Sequence, residues 1–192
     1  MEKWIKQSYC FSLCSFFALL TLLGTTINIA KAEISELTKE ILPKSRYIET
    51  RTINASLQNT SKAFESCWKY NSLFPYVDKS IRLTRTSCYL ENDTNGIKNW
   101  IQVNLDKKEY PENKVIIIHA IMEKGSVSKF YSEAILISVD ENKTKVIFGI
   151  DASASGIPQF IMDGLIKSVI KKTVDNLESK FAIIPLGQVQ PN

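Results

Sequence analysis

A chain of 192 residues is long enough for one folded domain with short appendages, and its 44% hydrophobic and 23% charged content is that of an ordinary globular protein. These values exclude a disordered, collagenous or multi-span membrane protein. Lys plus Arg number 24 and Asp plus Glu 20, a formal +4. An excess this small, spread in pairs such as Lys107-Lys108 and Lys171-Lys172, does not read as nucleic-acid binding.

Residues 1–32 read as a secretory signal peptide. Lys3 and Lys6 give a positive start, Phe11 to Leu23 a short apolar run, and Ala30-Lys31-Ala32 a small-x-small cleavage site, so cleavage is expected after Ala32. The apolar run is about 13 residues, short for a bilayer span. The mature protein is therefore expected to be periplasmic or secreted. Cleavage removes three lysines and one glutamate, so the formal charge falls from +4 to +2. It also removes Cys10 and Cys14. Cys67 and Cys88 remain, either as a disulfide in an oxidising compartment or as two separate buried thiols. With a single histidine in the chain, they compose no metal motif, and no cofactor is expected.

Residues 33–45 form a lead-in, with a short helix over Ile34 to Leu42 stopped by Pro43. Tyr47 to Ala55 alternates and predicts a first strand. Ser56 to Ser61 supplies N-cap candidates for a helix over Ser61 to Tyr70, where Ala63-Phe64 and Cys67-Trp68 recur at helical spacing. A short second helix is expected around Leu73 to Val77, bent or ended by Pro75. Strands follow over Ser80 to Glu91, Ile97 to Leu105, Lys114 to Met122, Phe130 to Val139 and Thr144 to Ala152. They are separated by turn signals at Asn92 to Gly96, Asp106 to Asn113, Gly125 and Asp140 to Lys143. Short connections imply an antiparallel meander. Ile101, Val103 and Leu105 share one face of their strand, with Trp100, Gln102 and Asn104 on the other. Trp100 reads as solvent-side or membrane-touching. Lys114 to Met122 is nearly all apolar, as in a central strand buried on both faces.

Pro158 to Phe181 carries the helical period. Ile161, Leu165 and Val169, with Ile166, Ile170, Val174, Leu177 and Phe181, make one broad apolar stripe. Asp163, Lys167, Lys171, Asp175 and Glu178 occupy the opposite face. Its length is about 36 Å at 1.5 Å per residue. Such a helix needs a surface to lie on, and the strands before it supply one. The fold class is α+β, a curved antiparallel sheet wrapped around a long C-terminal helix. Residues 183–192 read as an irregular, flexible tail.

Three stretches resemble the START-like superfamily, the helix-grip group that includes lipid-transfer START domains, coenzyme Q-binding proteins and polyketide cyclases. Arg51-Thr52-Ile53-Asn54-Ala55-Ser56, followed by Phe64 and Trp68, is similar to that group's first strand and following helix. Leu73-Phe74-Pro75-Tyr76-Val77 is similar to its short second helix. Asp151 to Ile161, containing Gly156-Ile157-Pro158, is similar to its link into the last helix. The resemblance covers residues 46–182. Where many lipid-binding members carry Trp-Pro and a downstream Arg, this chain has Tyr110-Pro111-Glu112-Asn113-Lys114.

The resemblance implies an apolar pocket between sheet and terminal helix, holding a hydrophobic small molecule such as a lipid, sterol or quinone. Ile101, Val103, Ile117, Phe148, Ile150, Ile161, Leu165 and Val169 are the candidate lining residues. His119 is the candidate polar group, a ligand contact or a general acid/base; the other reading is a satisfied strand histidine. A non-catalytic carrier with transient membrane contact is the first expectation. A cyclase or lyase using the same pocket, and a protein-interaction module with a collapsed cavity, are the alternatives. Glu133 is expected in a surface ion pair. Asn54, Asn59, Asn92 and Asn142 begin Asn-x-Ser/Thr triplets, which matter only in a eukaryotic secretory pathway.

Overall fold

The computed structural model describes residues 43–94 and 97–182. The expected signal peptide, the lead-in up to Leu42 and the tail from Ile183 lie outside the described residues. In chain order come β1 (Tyr47–Ile53), α1 (Leu57–Glu65), a 3₁₀ helix (Cys67–Ser72), β2 (Lys79–Arg82), β3 (Ser87–Thr94), β4 (Ile97–Tyr110), β5 (Val115–Gly125), β6 (Lys129–Asp140), β7 (Lys143–Ser153) and α2 (Gln159–Lys180). The strands form one antiparallel seven-stranded sheet in the order β1-β7-β6-β5-β4-β3-β2. The meander expected from the short turns runs from β2 to β7, and β1 returns to pair with β7.

The first helix begins four residues before the expected Ser61 and is shorter. Ser56 caps it, its hydroxyl accepting from the Asn59 N–H at 3.3 Å. The helix stops at Glu65, and the chain tightens into the 3₁₀ helix that carries Cys67 and Tyr70 inward. No second helix forms over Leu73 to Val77. Those residues make a turn in which Tyr76 takes a positive φ of 66°, a conformation that breaks a helix. The expected strand over Ser80 to Glu91 is two strands joined at Leu83 to Thr86. There the Thr84 hydroxyl accepts from the N–H groups of Thr86 and Ser87 and closes the turn. β4 runs on through the charged Asp106 to Tyr110, expected as a loop. Lys107 makes this possible, its ammonium lying 2.6 Å from both Glu65 and Glu109 carboxylates.

The core lies between one sheet face and both helices, α1 crossing β5 and β6 and α2 crossing β1 and β7. Ile53, Val103, Ile116, Ile118, Leu136, Val146 and Phe148 from the sheet form one buried cluster there with Ala63 and Phe64 of α1 and with Ile166, Ile170, Val174 and Leu177 of α2. The phenyl rings of Phe64, Phe74 and Phe148 pack together at its centre, with centroids 5.5 and 5.6 Å apart. The apolar stripe of α2 is wider than its contact with the sheet. Ile161 and Leu165 are exposed, because on the helical wheel Ile161 falls opposite, and Leu165 to the side of, the line through Ile166, Ile170 and Leu177.

β5 is the central strand, and it is buried on both faces. Val115 and Ile117, with Ile135 of β6, are buried on the face away from α2. That face also holds Glu133, only 2% exposed. Its carboxylate accepts the backbone N–H of Ser45 and, at 3.3 Å, the hydroxyl of Tyr131. The expected surface ion pair is thus replaced by a buried carboxylate with hydrogen-bonding partners, as burial requires. Gly149, opposite Glu133 in the ladder, gives Ser45 room; a Cβ on it would lie 2.6 Å from that of Ser45.

Cys67 and Cys88 form a disulfide with Cα atoms 6.0 Å apart, tying the 3₁₀ helix to β3. Closing a loop of about 20 residues stabilises a fold by roughly 3 kcal/mol. Replacing both cysteines by serine is expected to lower unfolding free energy by about that amount, read as an earlier midpoint in urea. An unchanged midpoint would show that the 3₁₀ helix is held without the bridge.

Candidate functional site

A cavity of about 170 Å³ opens at one end of the seam between sheet and α2. Three kinds of element build it. The floor is the concave sheet face, supplied by Leu90, Ile101, Ala120, Phe130 and Ile150. One wall is the segment after the 3₁₀ helix, where Tyr70, Phe74, Pro75, Tyr76 and Val77 crowd around the proline. The other wall is Val169 on the flank of α2, with Trp100 and Val127 at the rim. Tyr70 donates from its hydroxyl to the Phe64 carbonyl at 2.5 Å, so its ring faces the cavity with its polar end satisfied elsewhere. Burial pushes its phenol well above the usual range.

The rim is fixed by backbone and polar contacts. Trp100 stacks on Tyr89, with centroids 5.8 Å apart. Its N–H donates to the Ser126 hydroxyl at 2.8 Å, and its carbonyl accepts from the Ser126 N–H at 2.8 Å. Gly125 makes that approach possible, since a Cβ there would stand 2.7 Å from the Trp100 carbonyl oxygen. Across the mouth, the Tyr76 hydroxyl accepts from Lys172 of α2 at 3.1 Å. This ammonium holds the Tyr76 phenol below its ordinary value. Glu91 also borders the cavity, yet its carboxylate is engaged by the Tyr89 hydroxyl at 2.7 Å and faces Lys98 at 3.8 Å. The interior is thus almost wholly apolar.

Of the residues singled out from sequence, Ile101, Ile150 and Val169 line this cavity. Val103 and Phe148 lie on the same sheet face but are fully buried in the core. Ile161 and Leu165 lie outside, on the exposed flank of α2. Ile117 and His119 are on the opposite sheet face. Strand parity groups His119 with Val115 and Ile117; it is the even-numbered set of Ile116, Ile118 and Ala120 that turns to the helix-bearing face, where α1 crosses β5. Trp100, expected as solvent-side or membrane-touching, is half-buried at the cavity rim. The aromatic wall from Tyr70 to Val77 was not among the site candidates. Its signal was the run Leu73-Phe74-Pro75-Tyr76-Val77, where a proline among apolar residues marks a turn that packs inward.

His119 belongs to a separate polar cluster. Its ring lies 5.6 Å from that of Tyr131, and its Nδ1 is 4.0 Å from the Asp106 carboxylate. It is paired across the ladder with Glu133. Burial lowers its pKa; Glu133 and Asp106 act the other way, and Lys44 and Lys108 reinforce the lowering. Burial and the Glu133 charge push the Tyr131 phenol up.

No family model matches this sequence, and no curated protein sequence matches it significantly. Solved structures do match. A START superfamily protein from Mycobacterium smegmatis superposes with a TM-score of 0.58 at 14% identity, over 70% of this chain and 95% of that one. A STAR-related lipid transfer protein from Xanthomonas axonopodis gives 0.59 at 15% identity, over 70% and 84%. The di-domain ARO/CYC protein BexL of the BE-7585A biosynthetic pathway gives 0.51 at 13% identity, over 69% of this chain and 45% of that one. The chain therefore has the START-like, helix-grip α+β fold.

The lowered His119 pKa carries a stability consequence. Above the ordinary histidine pKa, near 6.5, the ring is neutral in both folded and unfolded chains. As pH falls below that value, the unfolded chain binds a proton that the folded one resists, so stability is lost towards the lower folded pKa. Unfolding free energy measured from pH 7.5 to 5 is expected to decline, and His119→Gln to flatten the decline. A slope unchanged in that variant would assign it to other groups.

Proposed function

We propose that the protein binds and carries a hydrophobic small molecule in the cavity between its sheet and α2. The observation that carries this reading is the character of the cavity: lined by the sheet, the turn after the 3₁₀ helix and α2, apolar within, and, among the described residues, without a converging acid/base pair. His119, the one histidine of the chain, lies on the other face of the sheet. The START superfamily and STAR-related lipid transfer proteins of similar fold support the same reading. The Cys67–Cys88 disulfide supports work in an oxidising compartment, in keeping with export by the expected signal peptide.

Size narrows the ligand. A cavity of about 150 Å³ in an engineered lysozyme holds benzene, whereas sites for drug-sized ligands span about 300–1,000 Å³. At about 170 Å³ this cavity encloses one ring or a short alkyl chain, and any longer molecule projects through the mouth between Trp100 and Tyr76. Affinity comes from apolar area removed from water, at about 25 cal/mol per Å².

The test is native mass spectrometry of the protein purified without detergent, with extraction of any bound molecule, followed by titration with single-ring and short-chain probes and with a sterol. Alkylphenols or medium-chain acids are expected to bind and the sterol to bind more weakly. Ala120→Phe, which places a ring on the cavity floor, is expected to weaken probe binding by about tenfold or more. Overpacking of this kind costs about 1–3 kcal/mol of stability, so Val169→Phe at the wall is the companion variant. Probe binding untouched by both substitutions would remove the cavity as the site.

A further inference from the structure

We infer that the first three turns of α2 dock the protein on a membrane surface carrying anionic phospholipid. Ile157, Phe160, Ile161 and Leu165 are 43%, 75%, 44% and 47% exposed. Ile157, just before the helix, Ile161 and Leu165 are four residues apart, and Phe160 lies three after Ile157, so they gather on the outward side of the helix start. Gly164 lies among them, with open space where its side chain would be. The outer face of the first two turns thus presents apolar groups, with Asp163 beside them as the one charge.

Charge surrounds the patch on one side. From Gln159 to Lys172 the helix carries one acid, Asp163, against Lys167, Lys171 and Lys172, all three exposed. Asp163 is held by Gln159 at 2.8 Å and by Tyr47. The other acids of α2 lie in its last turns: Asp175 pairs with Lys171 at 2.7 Å and with Arg51 of β1 at 3.5 Å, and Glu178 pairs with Arg51, which leaves Lys167 and Lys172 as the cations of the border that neither of these acids pairs with. An apolar face with a cationic border at the positive end of a helix dipole is the pattern of a segment that lies in the lipid headgroup region. Among the described residues no helix is long and apolar enough to cross a membrane, so the contact is with the surface.

The patch also adjoins the cavity. Ile161, Leu165 and Val169 follow one another along the same flank, and Val169 is a cavity wall. Lys172 continues that flank to Tyr76 at the mouth. A second copy of the chain is the weaker occupant. Four side chains fall well short of the roughly 800 Å² per partner of a stable dimer, and a two-fold contact would set the same lysines against each other. The inference stands on exposure and charge, and does not require the cavity to be filled.

The experiment is cosedimentation of the protein, expressed from the full-length gene, with vesicles of phosphatidylcholine alone or with a quarter phosphatidylglycerol. Pelleting is expected with the anionic vesicles and should weaken as sodium chloride rises from about 0.1 to 0.5 M. Phe160→Glu and Leu165→Glu should each lower partitioning by about tenfold or more, with unfolding midpoints unchanged. Ile81→Glu, at an exposed apolar position on β2, should partition like the wild type. No pelleting of the wild type, or equal pelleting of Phe160→Glu, overturns the inference. So does a concentration-dependent dimer in sedimentation velocity that Phe160→Glu abolishes while vesicle binding is unchanged, since the patch would then be a self-contact. Ala120→Phe should lose probe binding and keep vesicle binding, so failure of the carrier reading and failure of the docking face give different results.

Discussion

The pairing of β1 with β7 is the constraint on which the rest of the molecule depends. Seven residue pairs, from Tyr47–Ile150 to Ile53–Thr144, join segments roughly a hundred residues apart in sequence. The Thr144 hydroxyl adds a bond of 2.8 Å to the Ala55 carbonyl at the end of the ladder. Without this pairing the sheet would end at β7 and α2 would have no second strand beneath it. With it, Tyr47, Glu49 and Arg51 line up under the helix. Arg51 reaches Glu178 at 2.9 Å and Asp175 at 3.5 Å, and Lys167 lies 4.9 Å from the centre of the Tyr47 ring. Exposed ion pairs of this kind contribute little individually. Their value here is positional, since they set where along the sheet α2 can rest. Pairings so distant in sequence close late and slowly in folding, so α2 has its complete platform only once β1 is in place.

The cavity is what that placement leaves over. Towards the C-terminal half of α2 the seam is solid, with Val174 and Leu177 inaccessible to solvent against the sheet. Towards the N-terminal half the helix flank carries Val169, and the aromatic turn from Tyr70 to Val77 packs on the sheet through Phe74 and Phe148 while Tyr70, Pro75, Tyr76 and Val77 wall the remaining space. The disulfide from Cys67 to Cys88 holds that turn's root to the neighbouring strand. The wall is thereby fixed at its base, while its far end, at Tyr76, takes a positive φ and is held through its hydroxyl by Lys172 and Ser168 of α2.

Much of this was legible in the sequence, and what was not has physical reasons. The strict alternation of Ile101, Val103 and Leu105 announced a strand with a core face, and the three- and four-residue spacing from Ile166 to Leu177 announced a helix that needed a sheet. Both signals come from burial, which periodicity reports directly. Parity also sorted β5 into two sets, but with both sets apolar nothing distinguished the face of Ile118 from that of His119. That choice is made by which side α2 crosses, a tertiary fact. The stripe on α2 looked broad because Ile161 and Leu165 are as apolar as their buried neighbours. An exposed apolar residue and a core residue read the same in one sequence. Glu133 was misread for the opposite cause: a carboxylate reads as surface until a buried N–H, here that of Ser45, is found to meet it. The turn at Leu83 to Thr86 escaped because Thr84 builds it with a side chain, not with glycine or proline.

The sheet is open, so it has two edges, and their chemistry differs from that of its centre. One edge is β2, four residues long, with Lys79 and Arg82 exposed at its two ends. The guanidinium of Arg82 is folded back over the Trp68 ring at 4.5 Å. The other edge is β1, whose polar row carries Glu49 and Arg51, with Arg46 just before it. A strand that is short, or that bears charges along its length, makes a poor template for a foreign strand. The central strands, with runs such as Val115 to Ile118, have the β-branched, uncharged character of an aggregating segment, but each is paired on both sides. The molecule thus keeps its most self-associating sequence in the interior of the ladder and ends the ladder with its least cohesive strands.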